Sequence, residues 1–268
     1  MSLKRLLPRE HGTWGMLLVP WAIGVGVARR LAWPDLLLLA AMLLLFLAHN
    51  QLLVWLRLRL VPASDPDARA RARGLLLLLT AAGGVVLLPV LARARPAPLL
   101  ALGALAAVPA AASLYLVYRR LDHALAGQIL APAGLALSAP AAYALARGAL
   151  DRTGAALWAI SFLFFLGAVL YVRLKIDALK RTAALAAPAA RLGFAAPTLG
   201  MELAILGAVL IALRVGGLSP WTVLAFVPTA AQTLVGVARL DRPARLKRVG
   251  ILATAHAIAF ALLVIWLA

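Results

Sequence analysis

The chain has 268 residues, 65% of them apolar and only 13% charged, with a mean hydropathy of +0.98. Soluble domains run nearer ~45–50% apolar and ~25% charged, so this chain lacks the polar side chains that would coat a water-facing surface, and a soluble fold is excluded. The net charge of +18 would suggest nucleic acid in a soluble chain; here the arginines flank apolar runs, as topology signals and headgroup contacts do, and no nucleic-acid partner is expected.

A helix needs ~20 mostly apolar residues to cross a bilayer. The first such run, Trp14–Ala28, follows a basic start (Lys4, Arg5, Arg9) and stops at Arg29-Arg30. The many spans after it mark it as a retained first helix and not a signal peptide. Further spans are predicted near Pro34–Leu56, Gly74–Ala92, Pro98–Tyr118, Leu125–Ala146, Gly154–Val172, Thr198–Leu213, Pro220–Ala238 and Val249–Leu267. The runs are unbroken, rich in Leu and Ala, and too long for barrel strands. The expectation is a single all-α domain over residues 1–268, a polytopic transmembrane bundle of about nine helices.

Loop charge sets the orientation. With the N-terminus inside, the outer segments hold Arg29, Arg30, Arg93, Arg95, Arg147, Arg152 and Arg214, and the other twenty of the 27 basic residues lie inside. That asymmetry predicts a cytoplasmic N-terminus and a C-terminus outside, in a multi-pass protein of the bacterial inner membrane. The inner loops after spans two, six and eight are also the longer ones, so function is expected on the cytoplasmic face.

An ionisable side chain at the bilayer centre costs about 2.5–3.5 kcal/mol on insertion scales and normally faces the bundle interior. Polar exceptions are therefore the candidate site. Arg9-Glu10-His11 opens the first helix, where a carboxylate and an imidazole could line a cytoplasmic mouth beside the Trp14 anchor. His49-Asn50-Gln51 ends the second span; three consecutive polar side chains point around more than half the helix and cannot all serve one neighbour. Asn50 and Arg57 share a face and could reach one cavity. Arg173, Lys175 and Asp177 end the sixth span, with Arg173 and Asp177 at ion-pair spacing.

Gln128, Glu202 and Gln232 are isolated within apolar spans. Glu202 is the most costly of the three and calls for a partner, such as an arginine from another helix. His256 reads as a hydrogen-bonded core residue. With no cysteine and four scattered histidines, no metal site and no cofactor are expected.

The opening Leu7-Pro8-Arg9-Glu10-His11-Gly12-Thr13-Trp14-Gly15-Met16-Leu17-Leu18-Val19-Pro20 resembles the signature of the YwiC-like family of small bacterial membrane proteins. Phe164-Phe165-Leu166-Gly167-Ala168-Val169-Leu170-Tyr171-Val172-Arg173 is similar to that family's second recognisable segment. A weaker resemblance links Pro20 with Gly24, the polar cluster ending span two, and Lys180-Arg181-Thr182 followed by Arg191-Leu192-Gly193 to the UbiA-type prenyltransferase superfamily. That resemblance implies nine helices around a cytoplasm-facing cavity and, if any reaction, prenyl transfer. Its aspartate-rich Mg²⁺ motifs are mostly missing: Asn50 is followed by Val54 and Leu58, and Arg173 stands four before a lone Asp177.

Arginine can bind an anionic group bidentately without a metal. The expectation is thus a cavity for an anionic lipid or isoprenoid, gripped by Arg57, Arg173 and Lys175, with Asn50 and Asp177 beside them and Arg9-Glu10-His11 at its border. A small-solute transporter or channel, and a non-enzymatic assembly partner of another membrane complex, stay open as alternatives.

Overall fold

The computed structural model describes residues 11–61, 65–93, 95–121, 124–179, 181–242 and 246–268. These form ten α-helices: α1 (His11–Ala28), α2 (Trp33–Arg59), α3 (Pro66–Arg93), α4 (Pro96–Tyr118), α5 (Leu125–Leu135), α6 (Ser138–Arg147), α7 (Arg152–Leu179), α8 (Pro188–Gly216), α9 (Val227–Ala238) and α10 (Leu246–Leu267). Two 3₁₀ helices, Thr182–Leu185 and Pro220–Phe226, join them, and the described residues include no strand.

Eight helical segments are long and apolar enough to cross a bilayer, and the shorter apolar helix Gly12–Ala28 makes a ninth candidate. The chain is a multi-pass membrane protein. Its outer faces agree: α3 turns Leu77, Leu78, Val85 and Leu88 outward, each at least 59% exposed, a surface that lipid accepts and water does not.

The spans predicted at Leu125–Ala146 and Pro220–Ala238 are each interrupted. Pro140 has no N–H to give the Ala136 carbonyl; that oxygen instead takes the N–H of Ala139 at 3.1 Å, and α5 breaks from α6 there. Pro228 likewise has no N–H for the Leu224 carbonyl, and the 3₁₀ run gives way to α9 at that point.

Three helices outrun their apolar cores: α3 starts at Pro66, α7 continues to Leu179 and α8 starts at Pro188. Arg, Lys and Ala are good helix formers, so charge ends the hydrocarbon crossing without ending the helix. Much of the segment 173–197, between two predicted spans, is consequently helical.

The chain divides into two compact units, residues 1–151 and 152–268. In the first, α2 and α3 form an antiparallel hairpin and α1 lies along α6. The α1–α6 seam depends on small residues: a Cβ at Gly24 would run into the Ala139 carbonyl, and the buried Ser138 hydroxyl donates to the Leu17 carbonyl at 2.8 Å.

In the second unit, α7 packs on α8 through Gly216 against Ala156, and Thr153 donates to the Gly216 carbonyl at 2.9 Å. Phe164 stacks on Phe260 at 4.0 Å between ring centres, with Phe226 edge-on to both. Nearer the charged end, Leu174, Ala178, Leu185, Ala195, Val237 and Leu240 form an apolar cluster.

Candidate functional site

The last turns of α7 place Tyr171 and Lys175 on one face. Lys175 is only 7% exposed, and its Nζ donates to the Gly236 carbonyl of α9 at 2.6 Å while lying 5.9 Å from the centre of the Tyr171 ring. Gly236 is required for this approach: a Cβ there would meet Tyr171 at 2.5 Å from Cε2 and 2.6 Å from Oη. One turn earlier on α9, Gln232 hydrogen-bonds Tyr171, and its Oε1 is 2.5 Å from His256 Nδ1 on α10. An amide oxygen only accepts, so Nδ1 carries the proton in this bond and Nε2 is the imidazole's acceptor.

These residues line a cavity of about 550 Å³ bounded by α7, α9 and α10. Its walls are Pro228, Ala231, Val235, Val249 and Leu252; Arg239, Arg242 and Arg248, all exposed, stand at its charged end. Asp241, among these arginines in sequence, is held by Arg191 at 3.1 Å. The site combines a buried ammonium, three guanidiniums and a hydroxyl–amide–imidazole group with apolar walls open to the outside. That chemistry suits an anionic head carrying an apolar tail.

Deeper in the same unit lies a pocket of about 20 Å³, lined by Gly167, Glu202, Thr229 and Thr233 among others, which shares Tyr171, Gln232 and His256 with the larger cavity. Glu202, half-buried, hydrogen-bonds Thr233. Its carboxylate rests against α7 where Gly167 has no side chain: a Cβ there would come within 3.2 Å of Oε1. The expected arginine partner is thus replaced by a threonine hydroxyl, since among the described residues no basic side chain pairs with Glu202. His256 is hydrogen-bonded as expected, and it also faces both cavities.

Of the residues singled out from sequence, Arg9 and Glu10 lie outside the described residues, as does the His11 side chain, although His11 opens α1. Asn50 is half-buried and Arg57 exposed on α2 of the first unit. Of their neighbours, His49 is engaged locally, its Nε2 3.0 Å from Ser113 Oγ, whereas Gln51 is buried at 3% exposure with no hydrogen-bond partner for its Nε2 among the described residues. Arg173 and Asp177 form the expected pair at 3.8 Å, both largely exposed, on the face of α7 opposite Lys175. In the second unit the structure therefore brings Lys175 to the cavity and leaves Arg173 and Asp177 outside its lining.

Tyr171, Gln232, Gly236, Arg239, Arg242 and Arg248 were missed as a group by the sequence reading. Helical spacing carries the signal that finds them. Gln232, Gly236 and Arg239 make one stripe on α9, and Arg248, Leu252 and His256 another on α10.

No curated protein and no solved structure matches the chain. The family model described as YwiC-like protein matches residues 7–143, just over half of the sequence and nearly all of the first unit. The cavity of the second unit falls beyond the matched stretch. With that match over α1 to α6 and the multi-pass helical architecture, the chain belongs to the YwiC-like protein family.

Proposed function

We propose that this membrane protein binds an anionic lipid or isoprenoid, with its head among Lys175, Arg239, Arg242 and Arg248 and its tail along the apolar walls of α9 and α10. The observation that carries the reading is the buried Lys175, placed inside a cavity of about 550 Å³ with three arginines at its charged end. An ammonium removed from water is costly unless it is paired or hydrogen-bonded. Lys175 has one carbonyl acceptor, and the nearby Asp241 carboxylate is shared with Arg191 and opposed by Arg239, so an anion in the cavity adds counter-charge where cations outnumber carboxylates. Val235 and Leu252, 50% and 44% exposed, leave the wall open to the side where lipid lies. By the loop-charge asymmetry, this end of the bundle faces the cytoplasm.

The test is native mass spectrometry of protein released from nanodiscs of phosphatidylcholine doped with phosphatidic acid, alongside a titration with soluble pyrophosphate. Retention of phosphatidic acid that falls in Lys175→Gln and in Arg239→Gln/Arg248→Gln supports the reading. Pyrophosphate binding without lipid retention would identify the occupant as a free anion. Equal lipid occupancy in all variants would refute the site, and loss on Arg57→Ala alone would move it to α2.

A further inference from the structure

We infer that the Glu202 pocket is a proton-binding site in the membrane interior, exchanging its proton with the larger cavity through His256. On α8 Glu202 stands between Arg191 and Arg214, the charges that bracket the apolar stretch, about 16–18 Å along the helix from each at 1.5 Å per residue. A lone carboxylate at that depth is neutralised by a counter-charge or by a proton. From α9 it faces Thr229, Gln232 and Thr233; from α10, His256; from α7, Gly167 and Tyr171. These groups include no lysine or arginine, so neutralisation falls to a proton.

The proton also has a route. A pocket of about 20 Å³ has room for one water, which needs roughly 10–15 Å³ by the same measure. His256 lines both this pocket and the larger cavity. Because its Nδ1–H is committed to Gln232 Oε1 at 2.5 Å, Nε2 is the nitrogen that takes up and returns a proton. Gln232 is a positioning residue: held by Tyr171 on its other side, it fixes the imidazole tautomer. The step is a balanced transfer: the Glu202 carboxyl O–H breaks, the proton passes through water to His256 Nε2, and the imidazolium loses it to water in the larger cavity. Gly167 gives the carboxylate its seat against α7, and the Thr233 hydroxyl bonds it without adding charge.

The sequence offers a clean test, because Glu10 and Glu202 are its only glutamates. In a Glu10→Gln chain labelled with ¹³C-glutamate and held in nanodiscs, a single side-chain carboxyl signal reports Glu202. The same signal, taken as the difference between wild type and Glu202→Gln, covers the case in which Glu10→Gln fails to fold. The expected result is reversible titration of this carboxyl with bulk pH, and fast hydrogen–deuterium exchange in its infrared band. The fast phase is lost in His256→Phe and slowed in Gln232→Leu. A carboxyl fixed in one ionisation state wherever the fold persists would overturn the site, and wild-type exchange in His256→Phe would overturn the route. Lipid binding plays no part in either readout, so this inference and the proposed function fail independently.

Discussion

Lys175 reaches the main-chain carbonyl of Gly236 at 2.6 Å because Gly236, having no side chain, lets α9 close on the Tyr171 ring beside that lysine. One glycine thus provides both the acceptor for a buried cation and the space for its aromatic neighbour. Gly236→Ala is expected to displace Tyr171 and cost about 1–3 kcal/mol, as overpacking does. It should also reduce anionic-lipid retention. Thermal unfolding in detergent and native mass spectrometry read the two effects.

Gly24→Ala should be worse tolerated than Gly236→Ala. The obstacle at Gly24 is a main-chain carbonyl, that of Ala139, whereas at Gly236 it is the movable end of a side chain. Gly207→Ala is the control, with nothing within 4 Å of the added Cβ and a gain in helix propensity. Melting temperatures are expected in the order Gly207→Ala at or above wild type, then Gly236→Ala, then Gly24→Ala.

The Arg173–Asp177 pair at 3.8 Å is exposed on both sides, and such pairs contribute about 0–1 kcal/mol. Asp177→Asn should therefore change stability little. In the proposed arrangement it also leaves lipid occupancy unchanged, because neither residue lines the cavity. A large fall in occupancy would return the site to the face expected from sequence.

Topology is testable directly, since the chain contains no cysteine and every introduced one is unique. An impermeant thiol reagent added to intact cells should label Ala149→Cys, between α6 and α7. It should reach Ala187→Cys, ahead of α8, only after permeabilisation. The reverse pattern would place the arginine-rich end of the cavity outside.

The helix count, the membrane assignment and the family resemblance were legible because each rests on long apolar runs or on a contiguous motif. The breaks at Ala136-Leu137 and ahead of Val227 were legible in part: Pro140 and Pro228 within the predicted spans suggest kinks, but a proline does not say which residues the helix gives up. The site was legible only in part. Lys175 stood out as a polar exception, but direction along α7 separates it from Arg173 and Asp177, and charge alone carries no direction. Arg239, Arg242 and Arg248 entered the reading only as topology charges. They become a site when α9 and α10 bring two short polar stripes to the edges of one cavity.

The central claim is that the cavity between α7, α9 and α10 holds an anionic lipid, and photo-crosslinking tests it most directly. Phosphatidic acid bearing a diazirine in its acyl chain would be incorporated into nanodiscs with the wild-type protein, irradiated, and its adducts mapped by peptide mass spectrometry. The account predicts adducts concentrated on residues 228–238 of α9 and 248–256 of α10, lost in Lys175→Gln and in Arg239→Gln/Arg248→Gln. Adducts spread evenly over the lipid-facing surfaces of α3 and α4 as well, and unchanged by those substitutions, would contradict it.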